Sequence, residues 1–81
     1  MDPIKILIVD DDDACRQYLK IILEDQGYQT RSLSEPALLF DYLIEYPADL
    51  ILLDINMPGI DGISLLKQIK KRAELQDVEV I

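Results

Sequence analysis

Five aspartates sit where they could do chemistry. Asp10, Asp11, Asp12 and Asp13 follow at once on the apolar run Ile4 to Val9, and Asp54 closes a second run of the same kind, Asp49 to Leu53. If the two runs are neighbouring strands of one sheet, their terminal carboxylates converge. Two unit charges about 4 Å apart repel by about 4 kcal/mol at an effective dielectric of about 20, so a third carboxylate makes the arrangement costly without a cation. Such a cluster either takes up protons or binds a metal ion. Oxygen-only donors select a hard cation, and few carboxylates with open positions suit magnesium, which retains waters and accepts phosphate oxygens.

What is missing narrows the chemistry further. The chain has no histidine, which removes any Ser-His or Cys-His nucleophile pair and the usual zinc ligand set. Its single cysteine, Cys15, has no partner for an internal disulfide and reads as a core residue. The remaining chemistry is carboxylate chemistry. A strand-end aspartate taken alone is usually a turn former, and on that ground Asp12 and Asp13 read as a solvated turn and a helix cap, with Asp13 placed to cap.

The elements that must position these groups follow from spacing. Ile4 to Val9 reads as a strand buried on both faces. From Ala14 to Gln26 the apolar residues Cys15, Tyr18, Leu19, Ile22 and Leu23 fall on one helix face, and Gly27 supplies a stop. Tyr28 to Leu33 is a more polar strand, with Tyr28, Thr30 and Ser32 on one side, which suits a sheet edge. Ser34 reads as the cap of a second helix with Pro36 in its first turn, an inward stripe of Ala37, Phe40, Leu43 and Ile44, and Pro47 as its stop. Asp49 to Leu53 is the third strand, and Asn56 to Gly62, with one proline and two glycines, must be a loop. A third helix is expected from Ile63 to Ala73, with Ile63, Leu66 and Ile69 inward and Lys70, Lys71 and Arg72 at its carbonyl end. Val78 to Ile81 opens a fourth strand.

Alternation of this kind gives an α/β fold with a parallel sheet and helices on both faces. Ligands of such sheets bind beyond the carboxyl ends of the strands, where Asp10, Asp11 and Asp54 stand. The length of 81 residues fits one domain, and 49% hydrophobic with 30% charged residues is the balance of a folded globular chain. The apolar runs fall far short of the roughly 20 residues of a membrane span, and Met1 to Lys5 lacks a secretory pattern, so a cytoplasmic location is expected. A net charge of −8 repels nucleic acid and anionic membranes, so no direct binding to either is expected.

The segment ILIVDDDD at Ile6 to Asp13, together with DLILLDINMPGIDG at Asp49 to Gly62, resembles the receiver domain of two-component response regulators, and the resemblance spans essentially the whole chain. It implies a flavodoxin-like doubly wound parallel sheet of order 2-1-3-4. Residues 1–81 would be the N-terminal portion of a receiver, with the family's fifth strand and last two helices absent. Carried over residue by residue, Asp54 matches the phosphoacceptor. Asp10, Asp11 and Asp54, with the backbone carbonyl of Asn56, match the Mg2+ ligands, and Met57, Pro58, Gly59, Asp61 and Gly62 match the pocket loop. The implied partner is a sensor histidine kinase or phosphotransfer protein, and the implied role is phosphorelay signalling rather than that of an enzyme. The family's switch hydroxyl and lysine have no counterpart up to Ile81.

Two other readings compete. One is a non-switching interaction or dimerisation module whose acidic pocket only binds cation. The other, a haloacid-dehalogenase-like phosphatase, also places an aspartate nucleophile after a strand but needs a second aspartate two residues later, where Asn56 stands. In the receiver reading an uncovered fourth strand and apolar surface near Tyr18, Ile22 and Leu23 would favour homo-oligomers.

Overall fold

The structure, a computed structural model, describes residues 3–54, 62–72 and 78–80. Strand β1 (Lys5–Val9) leads into helix α1 (Asp13–Asp25), followed by β2 (Gln29–Leu33), a single 3-10 turn at Pro36–Leu38, α2 (Leu39–Glu45), β3 (Leu50–Leu53), α3 (Gly62–Lys71) and the short β4 (Glu79–Val80). The sheet order is β2-β1-β3-β4 and every pairing is parallel, as the alternating pattern predicts. The polar strand β2 takes an edge, and Gly27, at φ 93°, provides the left-handed turn that leads into it.

Alternation along the central strands divides the apolar residues between the two faces of the sheet. Leu7 and Val9 of β1 and Ile51 and Leu53 of β3 pack with Leu39 and Leu43 of α2 and Leu65 and Ile69 of α3 into the main core. Ile6 and Ile8 are also buried, and Ile8 forms with Leu52 and Leu19 of α1 part of the wall of a cleft of about 380 Å3 that reaches Asp10 and Asp54. Arg72 stacks its guanidinium 3.8 Å from the centre of the Phe40 ring, tying the end of α3 to α2.

The helix faces differ from expectation in three places. In α1 no side chain is fully buried: Cys15, Leu19 and Leu23 are half-buried, while Tyr18 and Ile22 are exposed. In α2 the inward pair is Leu39 and Leu43, with Phe40 half-buried and both Ala37 and Ile44 exposed. Pro36, Leu39, Leu43 and Tyr46 share one face at helical spacing, and that face, not the one carrying Ala37 and Ile44, meets the sheet. Ser34 does not cap the 3-10 turn; Glu35 occupies the capping position without a side-chain bond. In α3 Leu65 and Ile69 are buried and Leu66 half-buried, whereas Ile63 is exposed. Two residues before Leu65, Ile63 lies about 200° around the helix from it.

Candidate functional site

Register places the site. Val9 pairs with Leu53 across β1 and β3, so the next residues, Asp10 and Asp54, leave the sheet side by side. The amide of Asp54 still donates to the Val9 carbonyl (3.0 Å) and that of Asp10 to the Leu33 carbonyl (3.2 Å), which holds both backbones to the sheet edge. Asp10 is buried, Asp54 half-buried and Asp11 exposed. One carboxylate oxygen from each of the three lies within 4.8 Å of the others.

The loop between β1 and α1 is built from hydrogen bonds among its own acids. The Asp12 amide donates to Oδ1 of Asp10 (3.0 Å), and Oδ1 of Asp12 accepts from the amides of Ala14 (3.0 Å) and Cys15 (3.4 Å). Asp12 is therefore the N-cap of α1, in extended conformation, and Asp13, expected there, is the first helical residue. Arg16 reaches back from the first turn of the helix: its Nη1 donates to the Asp10 carbonyl (2.7 Å) and its Nη2 pairs with Oδ1 of Asp13.

Two competing effects act on the Asp10 carboxyl. Burial works to raise its pKa, but hydrogen bonds from the Cys15 thiol and the Asp12 amide, a bond with the Asp54 carboxyl and the nearby charge of Arg16 together outweigh burial and hold it below the ordinary value. Cys15 shows the reciprocal effect. Its hydrogen bond to Asp10, then burial, then the charges of Asp10, Asp12 and Asp54 push the thiol up to about 11. Cys15 is thus a protonated donor to the acidic cluster rather than the simple core residue its isolation in the sequence suggests, and it is a poor nucleophile.

The donor set fits a small hard cation. Octahedral Mg2+ with oxygens at about 2.1 Å holds them about 3 to 4.2 Å apart, a spacing these three carboxylates reach with small side-chain adjustments. Asn56, Met57, Pro58, Gly59 and Asp61 lie outside the described residues, and Gly62 is buried at the start of α3. Sequence reasoning missed Cys15 and Arg16 as neighbours of the site. The only signal for Arg16 is its position three residues after Asp13, one helical turn on.

Comparison with known proteins points to one family. The family model for the response regulator receiver domain matches residues 6–81. The chain is 41% identical over 66 residues to Sporulation initiation phosphotransferase F of Bacillus subtilis (strain 168), covering 82% of this chain and 53% of that protein. It is 36% identical over 70 residues to the Aerobic respiration control protein ArcA of Escherichia coli (strain K12), covering 86% of this chain and 29% of that one. Among solved structures, the N-terminal domain of a response regulator receiver protein from Methanoculleus marisnigri JR1 superposes with a TM-score of 0.86 at 33% identity, over 94% of this chain and 62% of that chain. A chain from the complex of histidine kinase ThkA with response regulator protein TrrA gives 0.83 at 31% identity, over 95% and 65%.

This chain belongs to the response regulator receiver domain family of two-component systems and is homologous to phosphorelay response regulators. It spans about half the length of the sporulation protein and under a third of ArcA. Among the described residues no helix is long and apolar enough to cross a membrane.

Proposed function

We propose that this receiver takes a phosphoryl group onto Asp54, with Mg2+ held by the carboxylates of Asp10, Asp11 and Asp54 and the backbone carbonyl of Asn56. The convergence of three carboxylates at the ends of adjacent strands carries this reading. Bound Mg2+ would offset the charge that the carboxylates and the phosphoryl oxygens bring together. The protein's own part is positioning: the hydrogen bonds of Asp10 keep it ionised, and the sheet holds Asp54 in line with it. An oxygen of Asp54 attacks phosphorus, a new P–O bond forms, and the P–N bond of the donor phosphohistidine breaks with the imidazole taking a proton. The product is an acyl phosphate that stays on the chain, so the role is that of a signalling module and not of an enzyme.

The donor in this reading is a sensor histidine kinase or a phosphotransfer protein, in line with the ThkA–TrrA complex among its structural relatives. Met57, Pro58, Gly59, Asp61 and Gly62 would form the pocket loop around the phosphoryl group. The net charge of −8 argues against direct contact with nucleic acid. Incubation with acetyl phosphate and MgCl2 followed by intact mass tests the proposal. One phosphoryl group should be gained by the parent and none by Asp54→Asn; undiminished labelling of Asp54→Asn would refute it.

A second reading, an interaction or dimerisation module without a switch, is favoured by the apolar residues that α1 leaves exposed, Tyr18 at 67% and Ile21 at 69%. Mg2+ binding without any labelling, together with self-association in sedimentation, would select it.

A further inference from the structure

We infer that Arg16 is the positioning residue of the metal ligands, a fork that ties the first turn of α1 to the loop carrying Asp10 and Asp11. The inference rests on the reading of Asp10, Asp11 and Asp54 as a cation site. The side chain of Arg16 is only 15% exposed although it pairs with Asp13, which is 89% exposed, so the guanidinium lies inward over the loop rather than out in solvent. Its two terminal nitrogens divide their work. Nη2 takes the Asp13 carboxylate, while Nη1 takes a neutral group, the Asp10 carbonyl at 2.7 Å.

A counter-charge for the acidic cluster would be directed at carboxylates. A bond to a backbone carbonyl instead fixes the plane of the peptide that joins Asp10 to Asp11. That plane sets the direction in which the Asp11 side chain leaves the main chain, and Asp11 is exposed, so burial does not hold it. The loop is thereby closed into a ring. The Asp12 amide bonds to Asp10, the Asp12 carboxylate caps the amides of Ala14 and Cys15, and Arg16 returns from the helix to Asp10. Planar fork geometry suits two acceptors held at a fixed angle, which the single ammonium of lysine does not reproduce.

Charge and positioning predict opposite signs. Removing a cation beside the site makes the local field more negative and should tighten Mg2+ binding. Losing the fork should weaken it, by about tenfold as for other groups that orient metal ligands. The test is calorimetric titration of the 81-residue chain with MgCl2, for the parent, Arg16→Met and Arg16→Lys, with amide NMR spectra to establish the fold of each. Both variants should bind Mg2+ about tenfold more weakly than the parent. Equal or tighter binding by Arg16→Met would overturn the inference, as would parent-like affinity of Arg16→Lys, including the case in which its melting temperature falls and its affinity does not. If Arg16→Met fails to fold, Arg16→Lys, which keeps charge and stem, decides alone. A parent that binds no Mg2+ would show, before any variant is compared, that the cation site itself is wrong, and the inference would fall with it.

Discussion

Replacing Asp54 by asparagine should make the metal-free fold more stable. One oxygen each from Asp10, Asp11 and Asp54 lies within 4.8 Å of the others, so every ionised pair costs at least about 3.5 kcal/mol at an effective dielectric of about 20, and about 0.9 kcal/mol in bulk water. Asp10 is buried, Asp54 half-buried and Asp11 exposed, which places the two pairs that involve Asp54 between those limits. Together their removal should add at least about 2 kcal/mol. The amide introduced by Asp54→Asn can also donate to Asp10, whereas a bond between two carboxyl groups needs a shared proton. In a domain of this size each kcal/mol raises the melting temperature by about 4 to 8 °C. Saturating Mg2+ should narrow the gap, because a ligand at about a hundredfold its Kd stabilises the parent by about 2.7 kcal/mol and the variant by less. Urea unfolding followed by circular dichroism near neutral pH, in EDTA and in MgCl2, measures both effects. A variant no more stable than the parent in EDTA would refute the electrostatic argument, and a gap unchanged by Mg2+ would remove the cation from the site.

The core makes a paired prediction: Leu39→Ala should cost about 2 to 5 kcal/mol, and Ile44→Ala, at a position 82% exposed, should stay within about 0.5 kcal/mol, both read from urea midpoints. Cys15 should alkylate slowly. With its thiol pushed up to about 11, iodoacetamide at mildly alkaline pH should react about a hundredfold more slowly than with the urea-unfolded chain. The sign for stability follows from the same shift: the folded value lies above the unfolded one, so the contribution is complete below the unfolded pKa and fades as pH rises toward 11. A rate equal to that of the unfolded chain would show that the bond to Asp10 does not form in solution.

The strands and their order were legible because burial on both faces leaves a plain mark in Ile6 to Val9 and Leu50 to Leu53, and because alternation with helices admits few topologies. The acidic cluster was legible for the same reason: a charged residue directly after such a strand must stand at its carboxyl end. The helix faces were less so. Leu39 was missed because a stripe begun at Ala37 runs to Phe40 and Ile44, whereas the buried stripe begins one residue earlier, at Pro36, and runs through Leu39 and Leu43 to Tyr46. Asp12 took the cap from Asp13 because four successive aspartates offer several capping registers, and the bonds to Asp10 and Cys15 select one. Cys15 and Arg16 lie in a helix whose sequence shows only an apolar stripe, and their roles depend on how its first turn faces the loop, which no local spacing encodes.

The core and the site are in this sense one device. Side chains alternate along a strand, so a slip of β3 by one residue against β1 would turn Ile51 and Leu53 out of the core and carry Asp54 away from Asp10. Burial of those two residues enforces the pairing of Val9 with Leu53, each side chain contributing about 1.5 to 3 kcal/mol. That apolar energy opposes the repulsion among the three carboxylates. The fold can therefore hold like charges together without a ligand, and in the proposed reading a cation or phosphoryl group would meet a site whose spacing the sheet has already set.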